Sequence, residues 1–293
     1  FYPEYIDNLS SAKSPQQMFG ALIKTFYSKK INVDPSKIVS VAVMPCSAKK
    51  FECNRPEMDS SGFKDVDYGL TTREMAKMIK EAGIHLPEMP KSHFDNPFGE
   101  ASGAGLIFGA TGGVMEAALR TIVEFICGVK TEDIFKNANI IPVRGFEGIK
   151  YVELPIEKVG EVPEIIKHLV PDWNWLKGAV LKAAVVHGTA NAKKVMEDIK
   201  KGGKFSKCHF IEFMACPGGC LGGGGQPIPT NEEIRKLRAK AIYDEDSSLE
   251  IRKSHENPHV VQIYNEFLKE GPCSRLSHKL LHTHYINRGK YIG

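Results

Sequence analysis

The chain has 293 residues, 42% hydrophobic and 25% charged, with 39 Lys and Arg against 35 Asp and Glu for a formal charge of +4. That length can bury a sizeable core, as one large domain or two lobes. The basic residues are dispersed, which argues against a nucleic-acid partner, and no apolar stretch approaches the ~18 residues of a membrane span. Seven cysteines, an odd number, fall far short of a disulfide scaffold and fit a reducing compartment, so a cytoplasmic location is expected. The opening Phe1-Tyr2-Pro3-Glu4-Tyr5 has neither an initiator Met nor a signal pattern, and further chain is expected upstream.

Ser14-Pro15-Gln16-Gln17 predicts a helix start, with Ser14 as N-cap, Pro15 at the first position and Gln17 closing a capping box; the helix runs to about residue 30. The β-branched run over 38–44 predicts a buried parallel strand, with Cys46 just past its C-terminal end, where open α/β sheets place ligands. Thr71-Thr72-Arg73-Glu74 predicts a second capped helix, closed by Gly83. Six glycines over 96–113 predict a loop or a region of close packing, followed by a helix over 114–127.

Strands are predicted over 140–143 and 149–155, and residues 155–178, with Trp173 and Trp175, as a surface excursion. A strand over 179–187, a helix over 191–201 and a strand over 208–214 lead to the next cysteines. Helices over 230–241 and 260–269 and a His-rich tail close the chain. The alternation argues an α/β architecture with mostly parallel pairing.

Cys216 and Cys220 stand four residues apart around Pro217-Gly218-Gly219, with Gly222 to Gly225 following. Soft thiolates in a glycine-rich turn, whose amides can approach bridging sulfides, suit an iron–sulfur cluster. A flexible turn with two idle thiols would sacrifice much chain entropy without a ligand. A lone Cys46 is weak by itself, but it follows a strand and has Lys49 three residues on. Glu52 could orient Lys49 or stay exposed. Zinc is the competing metal: Cys46, Cys216, Cys220 and one of His187, His209, His282 or His284 would fill a tetrahedron, yet zinc knuckles do not need four consecutive glycines. Cys53, Cys127, Cys208 and Cys273 have no partner spacing and read as structural.

At these residues the chain resembles the catalytic domain of the [FeFe]-hydrogenases. Met44-Pro45-Cys46 with Lys49 is similar to that family's second signature, and Glu212 through Pro227 to its third. Similarity extends to Asn8–Gln17, Leu70–Glu74, Gly103–Ala117, Val143–Phe146 and Lys279–His282, so it covers nearly the whole chain, 155–178 least.

The resemblance implies two lobes of mostly parallel sheet flanked by helices, with the cluster site between them. It implies an H-cluster, a 4Fe-4S cubane bridged by cysteine to a two-iron site carrying CO, cyanide and a dithiolate. Cys46 and Cys216 would bind the cubane and Cys220 would bridge; Lys49 would hydrogen-bond a cyanide. Gln16, Met44, Pro45, Phe108 and Met214 would line the two-iron pocket, and Ser10 would lie on a proton route.

The family's first signature, a Thr-Ser-Cys-Cys-Pro-like phrase supplying a fourth cubane ligand and a proton donor, is not in this sequence and is expected before Phe1. Further iron–sulfur clusters are expected only upstream, and the chain as written is not expected to assemble a complete cluster. Implied partners are an electron carrier such as ferredoxin or a nicotinamide-linked subunit, and H-cluster maturation proteins. The competing readings are a hydrogenase-like iron–sulfur assembly factor and a hydrogen sensor without turnover.

Overall fold

A computed structural model describes residues 1–128 and 143–289. The chain divides into two compact units, one of Phe1–Phe98 with Tyr264–Gly293 and one of Gly99–Ile263. The strand predicted over 140–143 falls, up to residue 142, outside the described residues.

In the first unit, α1 (Pro15–Leu22) and α2 (Ser28–Lys30) are joined by a π turn at Ile23–Tyr27, covering the predicted helix. Pro15 opens it as expected, but the predicted capping box does not form. The Ser14 hydroxyl instead donates to Glu52 Oε2 at 2.7 Å, and the amides of Gln17 and Met18 bond the Ser14 carbonyl at 3.0 Å each. A carboxylate is the stronger acceptor for a hydroxyl, and it turns Ser14 away from the helix end.

Strand β1 (Val41–Met44) leads to α3 (Ala48–Cys53); β2 (Tyr68–Thr71) then pairs parallel with β1 and runs straight into α4 (Thr72–Glu81). The parallel direction matches expectation; the burial does not. Val39, Val41 and Val43 are 64%, 50% and 44% exposed, because residue alternation puts them on the outer face of a two-stranded sheet. Thr71 and Glu74 form the predicted reciprocal cap, with Glu74 N to Thr71 Oγ1 at 3.2 Å and Thr71 N to Glu74 Oε2 at 2.8 Å. Gly83 closes the helix at φ +71°. Returning chain packs beside α1: the C-terminal helix Arg275–Leu281 ends in a bridge between Ala12 and His282.

The second unit contains α5 (Gly103–Leu106), α6 (Gly113–Cys127), β3 (Ile149–Pro155), β4 (Val180–His187), α7 (Thr189–Lys200), β5 (Phe210–Met214), α8 (Glu232–Ser248) and α9 (Pro258–Ile263). Its sheet has the order β3-β4-β5. The α7 crossover makes β4 and β5 parallel, whereas β3 joins β4 antiparallel through residues 156–179, which hold no crossover helix. That segment is closed at its base by Ile156 N to Ala179 O at 2.9 Å, and Trp173 Nε1 donates to Gly160 O at 2.8 Å.

Central β4 carries the apolar run Ala183–Val186, with Ala184, Val185 and Val186 fully buried, as a strand covered on both faces requires. Met115, Leu119 and Val123 on one face of α6 pack on Val152, Leu154, Ala183 and Val185. The glycines before α6 answer to contact: a Cβ on Gly113 would lie 1.7 Å from Ile107 O, and Gly112 sits at φ +85° with its Cβ position 2.0 Å from Val143 O.

Helix α8 runs seven residues past its predicted end because a charged cluster holds its last turns. The fully buried Arg120 of α6 grips Asp246 at 2.8 and 2.9 Å and Glu116 at 2.6 Å. Arg144 adds two bonds to Glu116 at 2.7 and 2.8 Å, and Arg252 one to Asp246 at 2.8 Å. Removing one member strands buried charge, so Arg120→Met should lower the unfolding free energy by about 3–5 kcal/mol, read from urea denaturation.

Lys150 is only 6% exposed and donates to Val143 O at 2.6 Å and Gly145 O at 2.8 Å, holding the turn before β3. Burial drives its pKa down from 10.5 to about 8, opposed by Glu212 and Glu147. Below about pH 8 the charged amine carries its full burial cost; between about 8 and 10.5 the folded chain sheds the proton while the unfolded chain keeps it. Stability contributed here therefore rises with pH across that window. Lys150→Met should remove this rise, measured as the difference between wild-type and variant urea curves from pH 7 to 11.

Candidate cluster site

The expected site residues divide between the units. Ser10, Gln16, Met44, Pro45, Cys46 and Lys49 belong to the first; Phe108, Met214, Cys216 and Cys220 belong to the second. All three candidate cysteine ligands are half-buried and, among the described residues, in no disulfide.

In the first unit, β1 ends at Met44, Pro45 and Cys46 follow, and α3 begins at Ala48, which puts Lys49 on the helix's first turn. Glu52, one turn further, gathers three donors: Lys49 Nζ at 2.9 Å, Gln16 Nε2 at 3.0 Å and Ser14 Oγ at 2.7 Å. Of the two readings left open for Glu52, the structure selects orientation of Lys49. Gln16 also donates to Lys49 O at 3.3 Å, while its buried Oε1 has no hydrogen-bond partner among the described residues. An unpaired buried acceptor is costly unless something else meets it. Neighbouring Lys50 has a different role, pairing with Glu74 on the surface, and that bond with the Thr71 cap holds the Glu74 carboxyl down to about 2.

Ser10 is exposed and stands outside this group: its Oγ accepts from Ala12 N at 3.3 Å and its carbonyl from Tyr285 OH at 3.1 Å. Cys53, 3% exposed, accepts weak bonds from Gln16 and Gln17 at 3.5 and 3.6 Å, and burial raises its pKa, in keeping with a structural thiol.

In the second unit, β5 delivers Met214 and then the Cys216–Cys220 turn. Gly218 and Gly219 take φ +79° and +81°, the left-handed region open to glycine. Gly219 N bonds Cys216 O at 3.0 Å, and Thr111 N bonds Gly218 O at 3.1 Å. An isolated bridge joins Gly219 to Ala110, and a Cβ on Gly219 would come within 2.8 Å of Thr111 N. This lacing brings the cysteine turn against the segment carrying Phe108, which packs on Ala104, Ile107 and Ala117. Gln226 Nε2 and Arg238 Nη1 fasten the far side, bonding Cys220 O at 3.1 Å and Leu221 O at 2.8 Å.

Two residues here have roles that the sequence reading did not assign. Glu212, 5% exposed on β5, accepts from the amides of Gly112 at 2.6 Å and Met115 at 2.8 Å, capping α6 from another strand. Burial pushes its carboxyl up, while the amides and Lys150 pull it back. Its signal was a lone carboxylate inside an apolar strand. His187, weighed only as a zinc ligand, accepts from Gly218 N on Nδ1 at 3.1 Å, and its Nε2 meets Phe146 O at 3.1 Å.

A family profile described as "Iron only hydrogenase large subunit, C-terminal domain" matches residues 1–224, and a second, "Iron hydrogenase small subunit", matches 232–288. The chain belongs to the iron-only, or [FeFe], hydrogenase family. It is 43% identical over 288 residues to the NADP-reducing hydrogenase subunit HndD of Solidesulfovibrio fructosivorans, across 98% of this chain and 44% of that protein. It is also 30% identical to the cytosolic Fe-S cluster assembly factor narfl of Xenopus tropicalis, across 97% of this chain and 56% of that protein.

Among solved structures it superposes on [FeFe]-hydrogenase HydA1 from Chlamydomonas reinhardtii with a TM-score of 0.76 at 37% identity, covering 97% of this chain and 72% of that one. The chain spans under half the length of the curated hydrogenases it matches. No helix among the described residues is long and apolar enough to cross a membrane.

The residues of this hydrogenase-family chain fit an iron–sulfur cluster better than zinc. Cys216 and Cys220 are unbridged thiols on a glycine turn, and the imidazole hydrogen-bonded to that turn has both ring nitrogens committed.

Glu52 should matter to the fold and Lys49 should not. Glu52→Gln is expected to cost about 1.5–3 kcal/mol, since three donors lose a charged acceptor, whereas Lys49→Ala, on a side chain 32% exposed, should cost under about 1 kcal/mol. Urea denaturation of the two variants checks the order.

Proposed function

We propose that this chain is the catalytic part of an iron hydrogenase that interconverts two protons and two electrons with molecular hydrogen. Cys46 and Cys216 would hold a cubane and Cys220 would bridge it to a two-iron site; a fourth thiolate would come from the Thr-Ser-Cys-Cys-Pro-like phrase that this sequence lacks. When bound, the cluster supplies the redox chemistry. The chain's own residues would bind it, exclude water and hold its polar ligands. Met44, Pro45, Phe108 and Met214 are apolar and suit the walls of a dry pocket, and Ser10, exposed on the first unit, would serve the proton route.

The observation that carries this reading is the Lys49–Glu52–Gln16 group beside Cys46. Holding a cubane requires thiolates alone. A lysine clamped by a carboxylate, whose ammonium carries three hydrogens for one such pair, suits a small anionic ligand such as cyanide. An assembly factor has no such ligand to hold, so this group favours the hydrogenase over the second reading, which the likeness to narfl supports. The name of HndD supports a nicotinamide-linked electron partner, with ferredoxin as the other candidate, and the chemistry calls for dedicated maturation proteins.

Infrared spectra of the matured full-length protein should show bands from CO and cyanide, with hydrogen evolution from a reduced dye; a cubane without those bands would favour the assembly factor. Lys49→Ala should lower hydrogen evolution by about 100-fold, as loss of one fixed donor to a reacting group does, while Lys50→Ala leaves it near wild type.

A further inference from the structure

We propose that His187 is the positioning residue of the Cys216–Cys220 turn, fixing its orientation by taking the Gly218 amide for itself. The proposal rests on the reading that these two thiolates ligate an iron–sulfur cluster.

The hydrogen bonds assign the imidazole its state. An amide can only donate, so Nδ1, 3.1 Å from Gly218 N, carries no proton; a carbonyl can only accept, so Nε2, 3.1 Å from Phe146 O, carries one. Both partners are satisfied by the neutral Nε2–H tautomer and by no other form. The residue is 9% exposed at the end of β4, and its backbone is anchored too, through His187 N to Gly148 O at 3.0 Å and Asn191 Nδ2 to His187 O at 2.9 Å.

The turn needs such an anchor. Gly218 occupies a left-handed conformation, and the Pro217–Gly218 peptide that Nδ1 holds can reorient about it at little steric cost. Amides aimed at sulfur set a cluster's potential and stability. An amide spent on Nδ1 is withdrawn from the sulfur, and the peptide plane before Gly218 is fixed. The positions of both cysteine sulfurs inherit that choice. His187 thus acts on the cluster through the backbone, without touching iron.

The test uses His187→Ala and His187→Gln in the full-length protein, since a glutamine amide can both accept from Gly218 N and donate to Phe146 O. On the metal-free protein, hydrogen exchange at the Gly218 amide should speed up about tenfold in the alanine variant, the loss of one buried hydrogen bond. After anaerobic loading with iron and sulfide, iron loss to a chelator should rise about 10–100-fold and the cubane's midpoint potential should shift. His187→Gln should restore all three readouts.

Wild-type exchange at Gly218 in the alanine variant would overturn the tether, as would a glutamine variant impaired as badly as alanine. A wild-type protein that takes up no cluster would instead overturn the cluster reading, leaving the exchange measurement to judge the tether alone.

Discussion

A single carboxylate governs where the second unit's cysteines can be. Helix α6 begins at two glycines because Ile107 and Val143 leave no room for a side chain, so the helix cannot cap itself. Glu212 supplies the missing acceptor from β5, bonding the amides of Gly112 and Met115. The helix's exposed N–H groups and its dipole compensate a buried charge there. Met214 lies two residues beyond Glu212 and Cys216 four, so helix, strand and cysteine turn are registered together. The same helix carries the apolar face that covers the sheet and the arginine that holds α8.

The first unit repeats the logic with a different carboxylate. Glu52 is reached from the start of α1 by Ser14 and Gln16 and from its own helix by Lys49. It converts a short strand end and a short helix into a fixed platform beside Cys46. In each unit an acid several residues away helps set the backbone that presents the cysteine. Both acids gain more than one donor, which is how a buried or half-buried carboxylate is tolerated.

Much of this was legible in the sequence, and the limits have physical causes. Strand β3, helix α6 and the Thr71–Glu74 cap followed from local pattern because their signals are local. The cysteine phrases were legible because glycine and thiolate together are uncommon without a cofactor. Strand β2 was missed: four residues containing a glycine carry no alternation. The run over 38–44 read as buried because β-branched residues look alike on open and covered faces. Ser14 was assigned to its own helix because nothing nearby announced that Glu52, 38 residues on, would compete. Glu212 and His187 were opaque for the same reason, since their partners are set by the tertiary fold.

The position of β5 within its sheet carries a last implication. It lies at the margin of the β3-β4-β5 order, paired through one ladder only, while β4 holds the interior. Proteins open in sub-global units whose free energies fall well below that of complete unfolding. Release of this marginal strand would break its ladder, the Glu212 contacts and the ties of the turn to His187 and Thr111, while the β3–β4 ladder stays closed. The strand that presents the thiols is therefore the rim of its slab, with β4 as its single ladder partner and the turn contacts beyond it as its remaining hold.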